Sequence, residues 1–228
     1  MSETDVLPTA NHEWLDRHRL VPVLVVHDVS EATFLAEGLV AGGLPVAEVT
    51  FRTPEAAEAI RVIADRGDVH VGAGTVLRPE QVDEAVRAGA RFVVSPGFSR
   101  RVVERCQELQ VPVVPGAVTA SEVMAAMECG LDTVKFFPAA SAGGPRGITA
   151  LAAALPAVRF VPTGGIDPEN LGSYLALPSV RAVGGSWMLP TSALRARDAE
   201  TIRAHVAAAA AMAAPRRAEP LTKEDGPR

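Results

Sequence analysis

The chain has 228 residues, 48% of them hydrophobic but only 4% aromatic, and a formal net charge of -5. A core of this composition must be built from Val, Leu, Ile and Ala, and the length suits one α/β barrel or two smaller domains. No basic block stands out to neutralise the phosphates of a nucleic acid. No apolar run approaches the roughly 18 residues that cross a bilayer, and Met1–Ala10 lacks the basic and apolar regions of a signal peptide. Cys106 and Cys129 sit in helix-like segments without metal-ligand spacing, as expected in a reducing compartment. The expectation is a soluble cytoplasmic protein without a membrane or nucleic-acid partner.

Along the chain one phrase repeats: a short β-branched apolar run, a polar or Gly/Pro turn, then a longer helical pattern. A preliminary helix is predicted over Asn11–Arg19, with Trp14 covering the bottom of a barrel. The first half alternates strand Val21–Val26, helix Ser30–Ala41, strand Val46–Thr50, helix Pro54–Asp65, strand Val69–Gly72, helix Pro79–Arg87, strand Arg91–Ser95 and helix Ser99–Leu109. The second half continues with strand Val111–Val114, helix Thr119–Glu128, strand Thr133–Phe137, helix Gly147–Leu155, strand Val158–Pro162, helix Pro168–Leu175, strand Arg181–Gly184 and helix Asp198–Ala213. Pro54, Pro79 and Pro168 suit first helical turns, while Gly42, Gly89 and Gly130 suit helix ends.

Eight strands alternating with eight helices predict a (β/α)8 TIM barrel, its strands apolar on both faces as in buried parallel sheets. The competing architecture, an open doubly wound sheet, lacks its G-x-G-x-x-G turn after the first strand. Gly72-Ala73-Gly74-Thr75 starts that motif and does not finish it. The division predicted is a helical extension over residues 1–19, a barrel over 20–214 and a disordered tail over 215–228, where no periodic apolar face remains.

Barrel active sites lie where strands end and βα loops begin. Only two of the 22 basic residues are lysine, Lys135 and Lys223. Lys223 lies in the polar tail; Lys135 lies in the apolar run Thr133–Phe137, between Val134 and Phe136. An apolar setting can hold a lysine neutral, which is out of reach for arginine, so Lys135 is the candidate nucleophile. Strand alternation puts Glu48, Thr50 and Arg52 on one face. Glu48 then either moves protons or forms a buried ion pair with Arg52 or Lys135, and Arg52 either binds an anion or is a solvated loop cation. Paired glycines follow strands seven and eight, Gly164-Gly165 and Gly184-Gly185, the latter continued by Ser186. Backbone N–H groups at these two loops often hold phosphate in barrels. Pro96-Gly97 reads as a turn first and a pocket wall second. None of the five histidines makes a convincing metal site: His27 and His70 lie near strands, and His12, His18 and His205 look like surface helix residues. An amine, a carboxylate, a carboxylate-binding arginine and a phosphate cradle define imine chemistry with no cofactor and no metal.

At these residues the chain resembles the bacterial 2-keto-3-deoxy-6-phosphogluconate aldolases, a class I family that includes 4-hydroxy-2-oxoglutarate aldolases. The resemblance runs from Leu20 to about Ala207 and is carried by EVTFRT, GAGTVL, VSPGF, VKFFPA, PTGGI and GGSWM in that order. It implies cleavage of the phosphorylated keto acid to pyruvate and D-glyceraldehyde 3-phosphate in the Entner–Doudoroff pathway, by a homotrimer of (β/α)8 barrels. It further implies Lys135 as Schiff-base residue, Glu48 as general acid/base, and Arg52 and Thr75 on the pyruvate carboxylate. Pro96, Phe137 and Thr163 would shape the substrate site, and Gly164, Gly165, Gly184, Gly185 and Ser186 would surround the phosphate. Some members carry an arginine on the first strand, where this chain has Val25, so no substrate anion is assigned there. The alternatives are a dedicated 4-hydroxy-2-oxoglutarate or galactonate-epimer aldolase, a barrel that binds a sugar phosphate without turnover, and an isomerase or synthase barrel in which Lys135 acts electrostatically.

Overall fold

The computed structural model describes residues 12–214; Asn11 and the tail over 215–228, with the disorder expected of it, lie outside the described residues. The chain opens with α1 (Glu13–His18) and β1 (Leu20–Leu24), then α2 (Ser30–Ala41), β2 (Val46–Thr50), α3 (Ala56–Arg66), β3 (His70–Gly74), α4 (Pro79–Arg87), β4 (Val93–Val94) and α5 (Arg100–Glu108). It continues through β5 (Val113–Val114), α6 (Ala120–Glu128), β6 (Thr133–Phe136), α7 (Gly144–Ala154), β7 (Arg159–Pro162), α8 (Leu171–Leu175), β8 (Val183–Gly185), α9 (Thr191–Ala196) and α10 (Ala199–Ala213).

All strands are parallel. Six form one sheet in the order β5-β4-β3-β2-β1-β8, and β6 pairs with β7. Single bridges, Gly116 to Lys135 and Thr163 to Gly184, join the two sheets on either side, so the strands follow one another round a (β/α)8 barrel. Period-two alternation assigns the faces. Along β6, Phe136 turns outward to meet Phe160 edge-on, with ring centroids 6.2 Å apart, while Lys135 turns inward toward Glu48. The buried apolar residues of strands and helices form one continuous cluster in which Phe92, Phe136 and Phe160 are the largest fully buried side chains.

The N-terminal helix does what the sequence predicts. Trp14 stacks on Phe92 at 4.1 Å and lies 5.2 Å from His70, the first residue of β3, and so seals the lower end of the barrel. His12, expected on a surface helix, is instead buried. It precedes α1 and faces Arg181, Asp132 and Asp16; burial first, then Arg181, hold its pKa down at about 4.

Other departures have local causes. Pro79 occupies the first turn of α4 as expected, but Pro54 and Pro168 precede α3 and α8 by two and three residues. After Pro168 an Asp167–Asn170 pair satisfies the turn itself, with Asp167 Oδ1 accepting from the Glu169 and Asn170 amides, which delays the helix. Gly143 and Gly144, both at positive φ, start α7 three residues before the expected Gly147. The short helix α9 falls in the stretch between the eighth strand and the last helix, where none was predicted.

Candidate active site

Glu48 and Lys135 reach the barrel interior from β2 and β6. Their side chains are buried, and Lys135 Nζ donates to Glu48 Oε1 at 3.1 Å. Of the two ion-pair partners expected for Glu48, it takes Lys135. The lysine backbone is held by the segment that follows β5: its amide donates to the Pro115 carbonyl and its carbonyl accepts from the Ala117 amide, each at 2.8 Å. The backbone of β6 is therefore fixed where the amine leaves it. At 3.1 Å a proton can pass directly between the amine and the carboxylate.

The glycine of β3 makes room for this pair. In register across the sheet, Glu48 lies between Val23 and Gly72. A Cβ on Gly74 would overlap the Glu48 carboxylate and its Cγ. Sequence reasoning read the Gly72–Thr75 stretch as an unfinished phosphate turn; the packing assigns Gly74 to the seating of Glu48. Thr75 follows at φ 56°, half-buried, at the end of β3.

Beside the amine stands Phe137. The Phe137 ring centroid is 5.3 Å from Lys135 Nζ, and the residue is 36% exposed, so the amine has an aromatic neighbour that reaches solvent. Thr163 is buried. Arg52 lies one turn beyond β2, exposed, with no hydrogen bond or ion pair from its guanidinium to any described residue. Thr50, two residues before it, donates its hydroxyl to the Leu24 carbonyl at 2.9 Å, a bond that ties β2 to β1. Ser95 donates to the Gly97 carbonyl at 2.8 Å, closing the turn that carries Pro96, whose carbonyl packs against Gly116.

The paired glycines come together as expected, since Thr163 bridges to Gly184 between β7 and β8. Gly164 and Gly165 adopt φ 96° and 71°, left-handed values that a side chain rarely tolerates. Gly184 and Gly185 are needed for a different reason: a Cβ would strike the Thr163 hydroxyl from Gly184 and the Trp187 ring from Gly185. Ser186, just past β8, is exposed. It lines a cavity of about 530 Å³ between the ends of β1 and β8, separate from the Lys135–Glu48 pair. Neither that cavity nor Trp187 was picked out from the sequence. Among the described residues no group of three or more His, Cys, Asp and Glu side chains is placed to share a metal ion, and no helix is long and apolar enough to cross a membrane.

A parallel (β/α)8 barrel that buries an amine against a carboxylate near the C-terminal ends of its strands has the build of an imine-forming lyase. The comparisons with known proteins narrow this. The family model described as KDPG and KHG aldolase matches residues 12–205, and the chain belongs to that family. A 2-dehydro-3-deoxy-phosphogluconate aldolase of Treponema pallidum is 50% identical over 193 residues, covering 84% of this chain and 92% of the relative. A KHG/KDPG aldolase of Escherichia coli K12 is 47% identical over 184 residues, covering 80% and 86%. Among solved structures, the KDPG aldolase of Legionella pneumophila, with pyruvate captured as a covalent carbinolamine, superposes with TM-score 0.83 at 40% identity, over 86% of this chain and 95% of that one. This chain is an aldolase of the lyase class.

Proposed function

We propose that the chain cleaves 2-keto-3-deoxy-6-phosphogluconate to pyruvate and D-glyceraldehyde 3-phosphate, the aldol step of the Entner–Doudoroff pathway, through an imine at Lys135. The observation that carries the reading is the buried Lys135 amine, 3.1 Å from the Glu48 carboxylate. The Treponema and Escherichia relatives bear the names of this activity, and a Zymomonas mobilis aldolase solved with 3-phosphoglycerate superposes with TM-score 0.84 at 39% identity, over 91% of this chain and 96% of that one.

The chemistry follows from the pair. Glu48 takes a proton from the Lys135 ammonium, and the free amine adds to the C2 ketone. The carbinolamine loses water, with Glu48 returning a proton to the departing hydroxyl, and leaves a protonated imine. The C3–C4 bond breaks as the C4 hydroxyl gives its proton to Glu48, and the bonding electrons move toward the imine nitrogen. The aldehyde leaves, the enamine is reprotonated at C3, and hydrolysis frees pyruvate and Lys135. The imine nitrogen is the electron sink, so no metal or other cofactor is called on.

Arg52 and Thr75 hold the keto acid's carboxylate in this reading; Arg52, with no partner among the described residues, is available to do so. Pro96 and Phe137 wall the mouth, and Thr163 lies beside the reacting carbons. Gly164, Gly165, Gly184, Gly185 and Ser186 surround the phosphate. The enzyme works in the cytoplasm as a homotrimer. Side activity on 4-hydroxy-2-oxoglutarate belongs to the same reading, because that acid presents the same 2-keto end and the Escherichia relative is named for both.

Incubation with pyruvate and borohydride is expected to add one three-carbon adduct per chain, located at Lys135 by peptide mass spectrometry. Lys135→Arg is expected to give neither adduct nor turnover while keeping the charge, because a guanidinium does not form the imine. Labelling elsewhere, or none in the parent protein, would sink the mechanism.

A further inference from the structure

The proposed phosphate cradle contains no side-chain cation. Thr163, Gly164, Gly165, Gly184, Gly185 and Ser186 offer hydroxyls and backbone N–H groups, whereas a phosphate monoester brings nearly two negative charges to a chain that is already acidic. Counter-charge must come from neighbouring elements.

The cavity beside Ser186 holds it. β1 and β8 run paired from Leu20–Val183 to Pro22–Gly185 and then part. β1 continues toward the loop bearing His27, and β8 turns at Ser186 toward α9. The space that opens between them is lined by Val23, His27, Glu31, Ser186, Trp187 and Arg195 among others. Val23 is in register with Glu48, so this space begins one strand away from the acid/base residue. His27 and Arg195 are exposed and make no side-chain hydrogen bond or ion pair with any described residue; Arg195 does not pair with Glu31 on the same wall. The Trp187 side chain completes this wall, its ring packed against Gly185. Two side-chain donors without a partner among the described residues therefore share a cavity with the last residue of the Gly-Gly-Ser run.

We infer that Arg195 and His27 form the other half of the phosphate site, Arg195 as its cation and His27 as a ring N–H donor, taking the terminal phosphate monoester of the sugar acid where Ser186 hands it on from the glycine loops. This rests on the phosphorylated-substrate reading above. The charge is then supplied from α9 by Arg195, with His27, two residues past Val25, as a donor beside it. Arg195 can grip phosphate oxygens in bidentate fashion, so it is the stronger of the two contacts.

The test compares kcat/KM for 2-keto-3-deoxy-6-phosphogluconate and for 4-hydroxy-2-oxoglutarate in the full chain and in Arg195→Ala, His27→Ala, the double variant and Arg195→Lys. Both side chains are exposed, and circular dichroism verifies that the variants fold. The ratio of the two kcat/KM values is expected to fall about 10-fold or more for each single alanine variant and about 100-fold for the double, mainly through KM, as loss of hydrogen bonds to a charged group predicts. Arg195→Lys is expected to recover part of the loss, and competitive inhibition by inorganic phosphate should weaken in parallel. If the parent protein turns over the phosphorylated acid and the double variant keeps both its ratio and its phosphate inhibition, this inference alone is overturned. If the parent traps pyruvate at Lys135 yet does not turn over the phosphorylated acid, the substrate reading falls and the inference with it.

Discussion

Gly74 shows how a residue without a side chain governs the chemistry. Its α-carbon is the surface on which Glu48 rests, and any Cβ there would collide with the carboxylate and with Cγ. Glu48 has no easy retreat, because it is buried and in register between Val23 and Gly72. Gly74→Ala is therefore expected to push the carboxylate off Lys135. Turnover should fall by about 10² to 10⁴, the usual contribution of a positioned acid/base group, while overpacking costs about 1–3 kcal/mol of stability. Gly172, exposed in α8 with open space where a Cβ would go, is the control: Gly172→Ala should leave kcat unchanged and raise stability by up to about 1 kcal/mol. Full activity in Gly74→Ala would mean that the amine–carboxylate geometry is not what limits the reaction.

At the scale of elements, a local signal told when it was strong and failed where tertiary contacts decided. α6 is held at its start by a capping box in which the Thr119 hydroxyl accepts from the Glu122 amide and Glu122 Oε2 accepts from the Thr119 amide at 2.9 Å. Thr119→Ala should cost about 1 kcal/mol, read as a drop of roughly 2–4 °C in Tm for a domain of this size, with kcat unaltered; no change in Tm would show the cap to be redundant. The same kind of signal made α4 legible through Pro79, and β2 legible as a short β-branched apolar run over Val46–Thr50. β4 and β5, two residues each, were over-read because apolar runs extend beyond the paired backbone. In the site, Lys135 was legible from its rarity and Glu48 from strand alternation. Their mutual pairing, the seat at Gly74 and the wedge of Trp187 on Gly185 depend on residues distant in sequence meeting across the barrel, which no local pattern encodes.

For the whole molecule, the lower end of the barrel sets its acid tolerance. His12 and His70 are held below their ordinary 6.5, each at about 4. Burial is the leading cause for both; Arg181 adds to it at His12 against the opposing pull of Asp132 and Asp16, and Arg91, His18 and Arg17 add to it at His70. His12 Nδ1 and His70 Nε2 are buried without hydrogen-bond partners among the described residues. A histidine depressed in the folded state binds its proton more readily once the chain unfolds. Between pH 6.5 and 4 the unfolded chain therefore holds more protons, and stability rises with pH there. The contribution is complete above about 6.5 and is lost as pH falls toward 4, with a slope of at most about 1.4 kcal/mol per pH unit for each histidine. Glu122 acts lower on the scale: hydrogen bonds from the Val118 amide lead those that depress its pKa, so its stabilisation is present above 4.5 and fades only below. Urea unfolding midpoints measured from pH 7.5 to 4.5 should accordingly fall well before carboxylates titrate. His70→Gln, which keeps a polar side chain beside Trp14 and Phe92 but cannot titrate in this range, should flatten that fall by roughly one histidine's share. Equal pH slopes in the parent and in His70→Gln would show that the ring already gains its proton within the folded barrel.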